Sequence, residues 1–168
     1  MGGIALIYDR TMTATTYIVD KKQGKLLLHL HKKFGQLYPL GGHIESGELP
    51  HEAALREVFE ESGLRVILSD QNGAPVAQTS EFVLPVPMFL LHENISSPVQ
   101  NLDFVYAAFL PENIDPKEKL KPLLGESRVF FWVSPEEALK GTVLRGEKEY
   151  VIPGHIKKIA EMVFKNIL

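Results

Sequence analysis

The chain of 168 residues suits one domain, predicted to span residues 1–168, with a core that needs no disulfide bonds. Apolar residues make up 45% of the chain and charged residues 23%, and the formal net charge is −3. This balance argues against a nucleic-acid-binding protein, which normally carries a basic surplus. The absence of cysteine excludes disulfides, thiolate metal sites and cysteine nucleophiles.

The sequence predicts neither a secretory signal nor a membrane span. Residues 2–6 have no basic segment before them and are too few for the apolar core of a signal. The most apolar run, Phe82 to Leu91, is too short to cross a bilayer and contains Pro85 and Pro87. We therefore expect a cytoplasmic protein that binds neither membranes nor nucleic acids, and the sequence leaves a homodimer open.

The first half of the chain predicts a hairpin followed by a helix. β-Branched residues from Thr13 to Asp20 predict a strand, and Lys25 to His31 predict its hairpin partner. Gly41-Gly42 is expected to break the chain before a loop that runs to Pro50. A helix is predicted from His51 to Ser62, because a proline suits its first turn and a glycine follows its end.

The second half predicts further strands and two helices. Strands are predicted at Arg65–Leu68, Phe82–His92, Phe104–Leu110 and Arg128–Val133. Residues 93–101 and 111–126 are predicted to be loops. Ser134 and Glu137 have the spacing of a capping box, and apolar residues recur at helical intervals from Gly154 to Ile167. Together these elements predict one mixed sheet covered by helices.

The predicted helix at 51–62 is unusually acidic on one side. At about 100° per residue, Glu57, Glu60 and Glu61 project from one side, and apolar residues such as Val58 and Phe59 from the other. Like charges at this spacing destabilise a helix unless something neutralises them. A divalent cation would do so, because hard cations take carboxylate ligands. A solvated acidic face is the commoner explanation of such a pattern by itself.

The residues around this helix favour a cation site over a solvated face. Gly41-Gly42 could bring a backbone carbonyl close to a ligand. Glu48 precedes the helix start, where the helix dipole favours an anion. The planar guanidinium of Arg56 can hold two carboxylates at once. We therefore predict that Glu48 and Arg56 form a clamp between loop and helix that presents Glu57.

The segment 42–64 resembles the Nudix box, the signature of the Nudix hydrolase superfamily. That pattern is Gly, five residues, Glu, seven residues, Arg-Glu, an aliphatic, any residue, Glu-Glu, any residue, Gly and an aliphatic. Every fixed position is filled, by Gly42, Glu48, Arg56, Glu57, Val58, Glu60, Glu61, Gly63 and Leu64. The resemblance implies an α+β fold, the Nudix-type α/β/α sandwich with a mixed β-sheet between helices. Leu37 and Leu40 depart from the Trp and Pro of many members.

The resemblance implies a hydrolase that uses Mg²⁺ or Mn²⁺ to cleave a pyrophosphate bond in a nucleoside diphosphate linked to another group. A nucleoside triphosphate is the default substrate. The catalytic residues would be Arg56, Glu57 and Glu60, with Glu57 the foremost candidate for activating water. The metal ligands it implies are Gly42, Glu57, Glu60 and Glu61.

Substrate-binding residues are harder to predict. A nucleotide base needs an apolar or aromatic wall and a few polar anchors. Phe34 and Tyr38 are predicted to contact the small-molecule nucleotide, and Glu126 is a later carboxylate that could act at the substrate or be an exposed loop acid. Further candidates, of which the aromatic ones would more commonly belong to the core, are Phe82, Asp103 and Tyr106.

The histidines give weaker signals. His29 and His31 alternate on a predicted strand and could bind a metal, but no further ligand lies near them in sequence. His43 and His51 flank the box and could contact phosphate, although surface positions are the commoner outcome.

Three other interpretations compete with the hydrolase. A Nudix-fold isomerase of isopentenyl diphosphate relies on a catalytic cysteine, which this chain lacks. A calcium-binding helix–loop would need the EF-hand pattern, which is missing. A non-catalytic Nudix-fold nucleotide-binding or regulatory module stays open as the alternative, although such modules usually lose carboxylates of the box and this chain keeps them.

Overall fold

The computed structural model describes residues 9–76, 84–96, 99–112, 114–115, 120–121 and 129–168. This part of the chain contains ten strands and three helices. In chain order they are β1 (Asp9–Asp20), β2 (Lys25–Leu30), β3 (Leu37–Tyr38), β4 (Leu40–His43), α1 (Pro50–Ser62), β5 (Ile67–Leu68), β6 (Phe89–Ser96), β7 (Val99–Phe109), β8 (Phe130–Val133), α2 (Pro135–Lys140), β9 (Thr142–Arg145), β10 (Lys148–Val151) and α3 (Gly154–Ile167).

The strand β1 is the centre of a mixed eight-stranded sheet. It pairs antiparallel with β2 and with β4, and parallel with β7 along eleven registered positions from Asp9↔Val99 to Val19↔Phe109. β7 pairs antiparallel with β5 and β6, and β2 with β3 and β8. β9 and β10 form a separate hairpin. Three strands therefore meet along β1, and one of them, β7, is far from it in sequence.

Both faces of this sheet are covered, because buried side chains alternate along β1. Tyr17 and Val19 point to one face and join the core that contains the buried residues of α3. Ala14 and Ile18 point to the other face and pack with Val58 of α1. The predicted sheet between helices is confirmed. None of the described helices is long and apolar enough to cross a membrane.

Helix α1 has the predicted limits. Pro50 lies in its first turn, and Glu52 accepts a hydrogen bond of 2.9 Å from the backbone N–H of Leu49. Gly63 ends the helix with φ +75°, and its N–H donates to the carbonyl of Phe59 at 2.8 Å. A left-handed residue at this position favours glycine, because other side chains are strained there.

Three local predictions were wrong. Gly41 and Gly42 lie inside β4, where they pair with Thr15 and Ala14. The predicted loop at residues 93–101 is wrong at both ends, where residues 93–96 belong to β6 and residues 99–101 to β7. Glu93 and Asn101 line a cavity, so their polarity is not a sign of a solvated turn. The hairpin of β9 and β10 was missed, although Gly146, with φ +62°, lies in the turn between its strands.

Helix α2 provides a test of local capping. The Ser134 hydroxyl accepts from Glu137 N–H at 3.3 Å, and the Glu137 carboxylate accepts from Ser134 N–H at 3.0 Å, so the predicted capping box is confirmed. We expect Ser134→Ala to lower the free energy of unfolding by about 1 kcal/mol in urea denaturation. Ser134→Thr should retain most of that stability, and equal stability of the alanine variant would contradict the capping role.

Candidate active site

The guanidinium of Arg56, in the middle of α1, lies among three glutamates. Its Nε and one Nη hold Glu48 at 2.8 and 3.0 Å, and its other Nη holds Glu57 at 2.8 Å and Glu60 at 3.2 Å. A fifth hydrogen bond of 2.9 Å goes to the carbonyl of His43. All five N–H donors of the side chain are thus used. One residue ties the strand β4, the loop before α1 and the helix together.

Charge and burial shift the pKa values within this cluster in different directions. The hydrogen bond from Arg56 holds the pKa of Glu48 below its usual value. The hydrogen bond to Glu48 in turn raises the pKa of Arg56. Burial raises the pKa of Glu57, and this outweighs the bond that Glu57 receives from Arg56. One cation therefore faces three carboxylates, and its bond to Glu57 does not offset the cost of burying that carboxylate.

The two glycines of β4 contact two carboxylates of the box, Glu57 and Glu61. An added Cβ at Gly42 would come within 2.7 Å of Glu57 Oε2, so this position is filled by the carboxylate itself. The N–H of Gly41 donates to Glu61 Oε2 at 2.9 Å, and Glu61 is only 7% exposed. Glu61 is therefore buried against β4, one helical turn from Glu57 and beside the glycine next to the one that Glu57 meets.

The residues of this cluster fit a hard divalent cation by their chemistry. Glu57 and Glu60 offer carboxylate oxygens on one side of α1, next to a glycine backbone, and the excess of negative charge favours a cation. Within the described residues, no three acidic or histidine side chains converge closely enough to form a metal cage. The reason is visible in the contacts: Arg56 bridges Glu57 and Glu60, and Glu61 bonds the backbone.

A cavity of about 220 Å³ opens on the other side of the glycine strand, against the face of the sheet that α3 covers. Gly41 and Gly42 line it, so β4 is shared between the cavity and the carboxylates. Part of its polar lining comes from the paired strands β1, β6 and β7, which contribute Thr13, Thr15, Glu93, Asn101 and Asp103.

Asp103 lies at the centre of that polar lining. The hydroxyls of Thr13 and Thr15 both donate to its Oδ1 at 2.9 Å. Burial raises the pKa of Asp103, and the charge of Glu93 raises it further. A buried carboxyl that protein hydroxyls hold in one orientation is a preformed hydrogen-bonding group.

Aromatic rings form one wall of the cavity. Tyr38 and His155 line it, with ring centroids 6.0 Å apart, and Tyr38 lies 5.4 Å from His31. Phe34 stacks on His31 at 4.5 Å and is 52% exposed, but it does not line the cavity itself. Burial and His31 lower the pKa of His29 to about 4, so His29 adds no positive charge near neutral pH.

The other predicted residues lie elsewhere. Tyr106 packs in the core against α1, where burial raises its pKa to about 12. Phe82 and Glu126 lie outside the described residues. Sequence reasoning missed the threonines at 13 and 15, Glu93, Asn101 and His155. The two threonines had one signal in the sequence, their alternation along β1, but this alternation also fits an ordinary strand.

The NUDIX domain profile matches residues 9–153, which is most of the chain. A crystal structure of a hydrolase of the NUDIX family from Clostridium perfringens is 32% identical, has a TM-score of 0.72, and the match covers 94% of this chain and 97% of that chain. The chain belongs to the Nudix hydrolase family. Enzymes of this family act on pyrophosphate bonds.

Two further similarities have a narrower meaning for this Nudix chain. The MutT protein from Methanosarcina mazei Go1 is 16% identical with a TM-score of 0.60 over 97% of this chain and 96% of that one, which is a likeness of fold. The phosphoglucosamine mutase of Geotalea uraniireducens (strain Rf4) is 29% identical over 162 residues. That match covers 94% of this chain and 32% of the relative, so the chain spans about a third of that curated protein.

The contact between Gly42 and Glu57 gives a sharp test of the site. We expect Gly42→Ala to displace the Glu57 carboxylate and to lower hydrolase activity at least about tenfold, while the melting temperature changes little. Gly154→Ala is the matched control, because an added Cβ there meets nothing within 4 Å. Wild-type activity in Gly42→Ala would show that the position of this carboxylate is not important.

Arg56 should matter for both folding and activity. A lysine in its place keeps the charge but cannot make the five hydrogen bonds, so we expect Arg56→Lys to lower the free energy of unfolding by about 1–3 kcal/mol and to reduce activity. Urea denaturation and initial rates measure the two effects. Arg145→Lys, at a more exposed ion pair with Glu137, should cost less than about 1 kcal/mol. Lost activity at unchanged stability would contradict the clamp.

Proposed function

We propose that this Nudix protein uses Mg²⁺ or Mn²⁺ to hydrolyse the pyrophosphate linkage of a nucleoside diphosphate joined to another group, a nucleoside triphosphate being the default. One observation carries the proposal: the strand β4 has the carboxylate cluster on one side and the cavity on the other. A molecule with its base in the cavity would carry its phosphates across Gly41 and Gly42 toward Glu57.

The roles in this proposal follow from position. Glu57 and Glu60 would hold the cation together with the carbonyl of Gly42, and Glu61 would support them from the buried side. The cation, when bound, neutralises phosphate oxygens that otherwise repel a nucleophile. Glu57 is the candidate proton acceptor for the attacking water, because its carboxylate lies directly against the glycine strand.

Arg56 and Glu48 would act by positioning. The bond between them fixes the guanidinium, and the guanidinium in turn fixes the rotamers of Glu57 and Glu60. Holding ligands in place before substrate arrives lowers the entropy cost of reaching the reactive geometry. The positive charge also reduces repulsion among the carboxylates when no cation is bound.

Tyr38 and the polar floor of the cavity would bind the base. Tyr38 offers a ring face at the wall, whereas Phe34 could close over a substrate only from outside the cavity. A larger cavity of about 560 Å³ lies at the other end of β1, beside Asp20 and Phe109, where no box residue lines it. We therefore assign the substrate to the smaller cavity, which a residue of the box lines.

The proposal predicts a metal-dependent reaction that fails with specific carboxylates. We expect Glu57→Gln, Glu60→Gln and Glu61→Gln each to lower kcat at least about a hundredfold without unfolding the protein. Glu52→Gln is the matched control on the same helix, because glutamine still caps the helix start.

The assay uses purified protein with nucleoside triphosphates, oxidised nucleotides, ADP-ribose, NADH and diadenosine polyphosphates. Each is tested with Mg²⁺, with Mn²⁺ and with excess chelator, while phosphate and pyrophosphate release are measured. Cleavage that needs metal and is lost in Glu60→Gln supports the hydrolase. Nucleotide binding without turnover of any substrate would instead favour the non-catalytic binding module.

A further inference from the structure

The floor of the cavity, defined as Thr13, Thr15, Asn101 and Asp103, has its hydrogen-bond donors engaged. Both threonine hydroxyls donate to Asp103 Oδ1. The Asn101 amide donates to Thr13 Oγ1 at 2.8 Å and to Glu93 Oε2 at 3.2 Å. Asn101 and Asp103 are only 3% and 6% exposed, so these bonds form a fixed network away from solvent. The floor therefore has no hydroxyl or amide hydrogen left for a ligand.

The groups that can still bind a ligand, on the floor and at the neighbouring Glu93, are hydrogen-bond acceptors. Asp103 Oδ2 receives no hydrogen bond from the part of the chain that the structure describes, because both threonines bind Oδ1. Glu93 has a second carboxylate oxygen beside the one that accepts from Asn101. Both oxygens line the cavity as acceptors, so they favour a ligand that brings N–H donors to them.

One wall offers the complementary group. Tyr17 is 1% exposed, lines the cavity, and its hydroxyl has no hydrogen-bond partner among the described residues. Burial raises the pKa of Tyr17 well above its usual value, so the phenol keeps its proton and can donate. Apolar side chains, Val105 and Ile159 among them, also line the cavity and suit contact with a flat ring.

We propose that this cavity selects a planar base that carries two adjacent N–H donors beside a ring carbonyl, the 2-amino-oxo edge shared by guanine and pterin rings. Asp103 and Glu93 accept from the two donors, and Tyr17 donates to the carbonyl. Adenine presents a ring-nitrogen lone pair where this edge has an N–H, and so would set acceptor against acceptor. The inference rests on the proposed function in one respect: the base belongs to the nucleotide that is cleaved.

Binding of nucleosides without phosphate or metal tests the edge directly. In titration calorimetry we expect guanosine to bind at least about tenfold more tightly than inosine, which lacks the 2-amino group, and than adenosine. Neopterin in a parallel titration distinguishes the two sources of the edge. Equal binding of adenosine and guanosine, or tighter binding of adenosine, would overturn the inference.

Asp103→Asn inverts one hydrogen-bonding position while keeping the shape. The threonine hydroxyls require an acceptor at Oδ1, so they orient the amide with its NH₂ at the Oδ2 position. We expect guanosine binding to fall at least about tenfold and adenosine binding not to fall. Glu93→Gln, at a less buried position, should weaken guanosine binding several-fold. It takes the place of Asp103→Asn in the test if that variant does not fold. Glu149→Gln on β10 is the matched control, and unchanged guanosine affinity in both cavity variants would overturn the assignment.

The same proteins separate this inference from the hydrolase proposal. Metal-dependent cleavage of triphosphates with equal kcat/KM for GTP and ATP, and no guanosine binding, would remove the base assignment and leave the hydrolase. Guanosine binding that is lost in Asp103→Asn, with no pyrophosphate bond cleaved in any substrate, would keep the base assignment and remove the hydrolase.

Discussion

The site is organised around one guanidinium. Helix α1 places several glutamates close together, and the repulsion between their charges would by itself destabilise the helix or force the side chains apart. Arg56 prevents this by bonding Glu48 from the preceding loop and Glu57 and Glu60 from its own helix. Because the same side chain reaches the carbonyl of His43, the helix start is also fixed to the sheet. The positions of Glu48, Glu57 and Glu60 therefore depend on this one side chain.

The glycines of β4 follow from the same constraint. The helix and the strand approach so closely that a carboxylate fills the space where a Cβ would stand at Gly42. At Gly41, φ is +154° and an added Cβ would lie 2.8 Å from the Cα of Thr15, so two packed strands leave no room for a side chain. At these two positions only backbone separates the carboxylates from the cavity. This is why we propose that a single molecule contacts both.

The sequence was most informative where local rules dominate. The limits of α1, the capping box at Ser134 and the box carboxylates could all be predicted, because they depend on residues a few positions apart. The cavity could not be predicted, because its lining depends on strand pairings such as Thr13↔Asp103, which join residues 90 positions apart. The same limit explains the wrong loop prediction, because polar side chains such as Glu93 and Asn101 indicate solvent by default, and only the tertiary fold shows that these two line a cavity.

The parallel pairing of β1 with β7 determines what the cavity can recognise. The register places Asp103 beside Thr13, and the next inward position on β1, Thr15, lies close enough for its hydroxyl to reach the same oxygen. A shift of one residue would turn these side chains to the opposite face, where α1 packs. The cavity's polarity is therefore a consequence of strand register, which the buried apolar residues further along β1 fix independently. The ligand selectivity that we propose thus depends on the packing of the core, and not only on the carboxylates of the box.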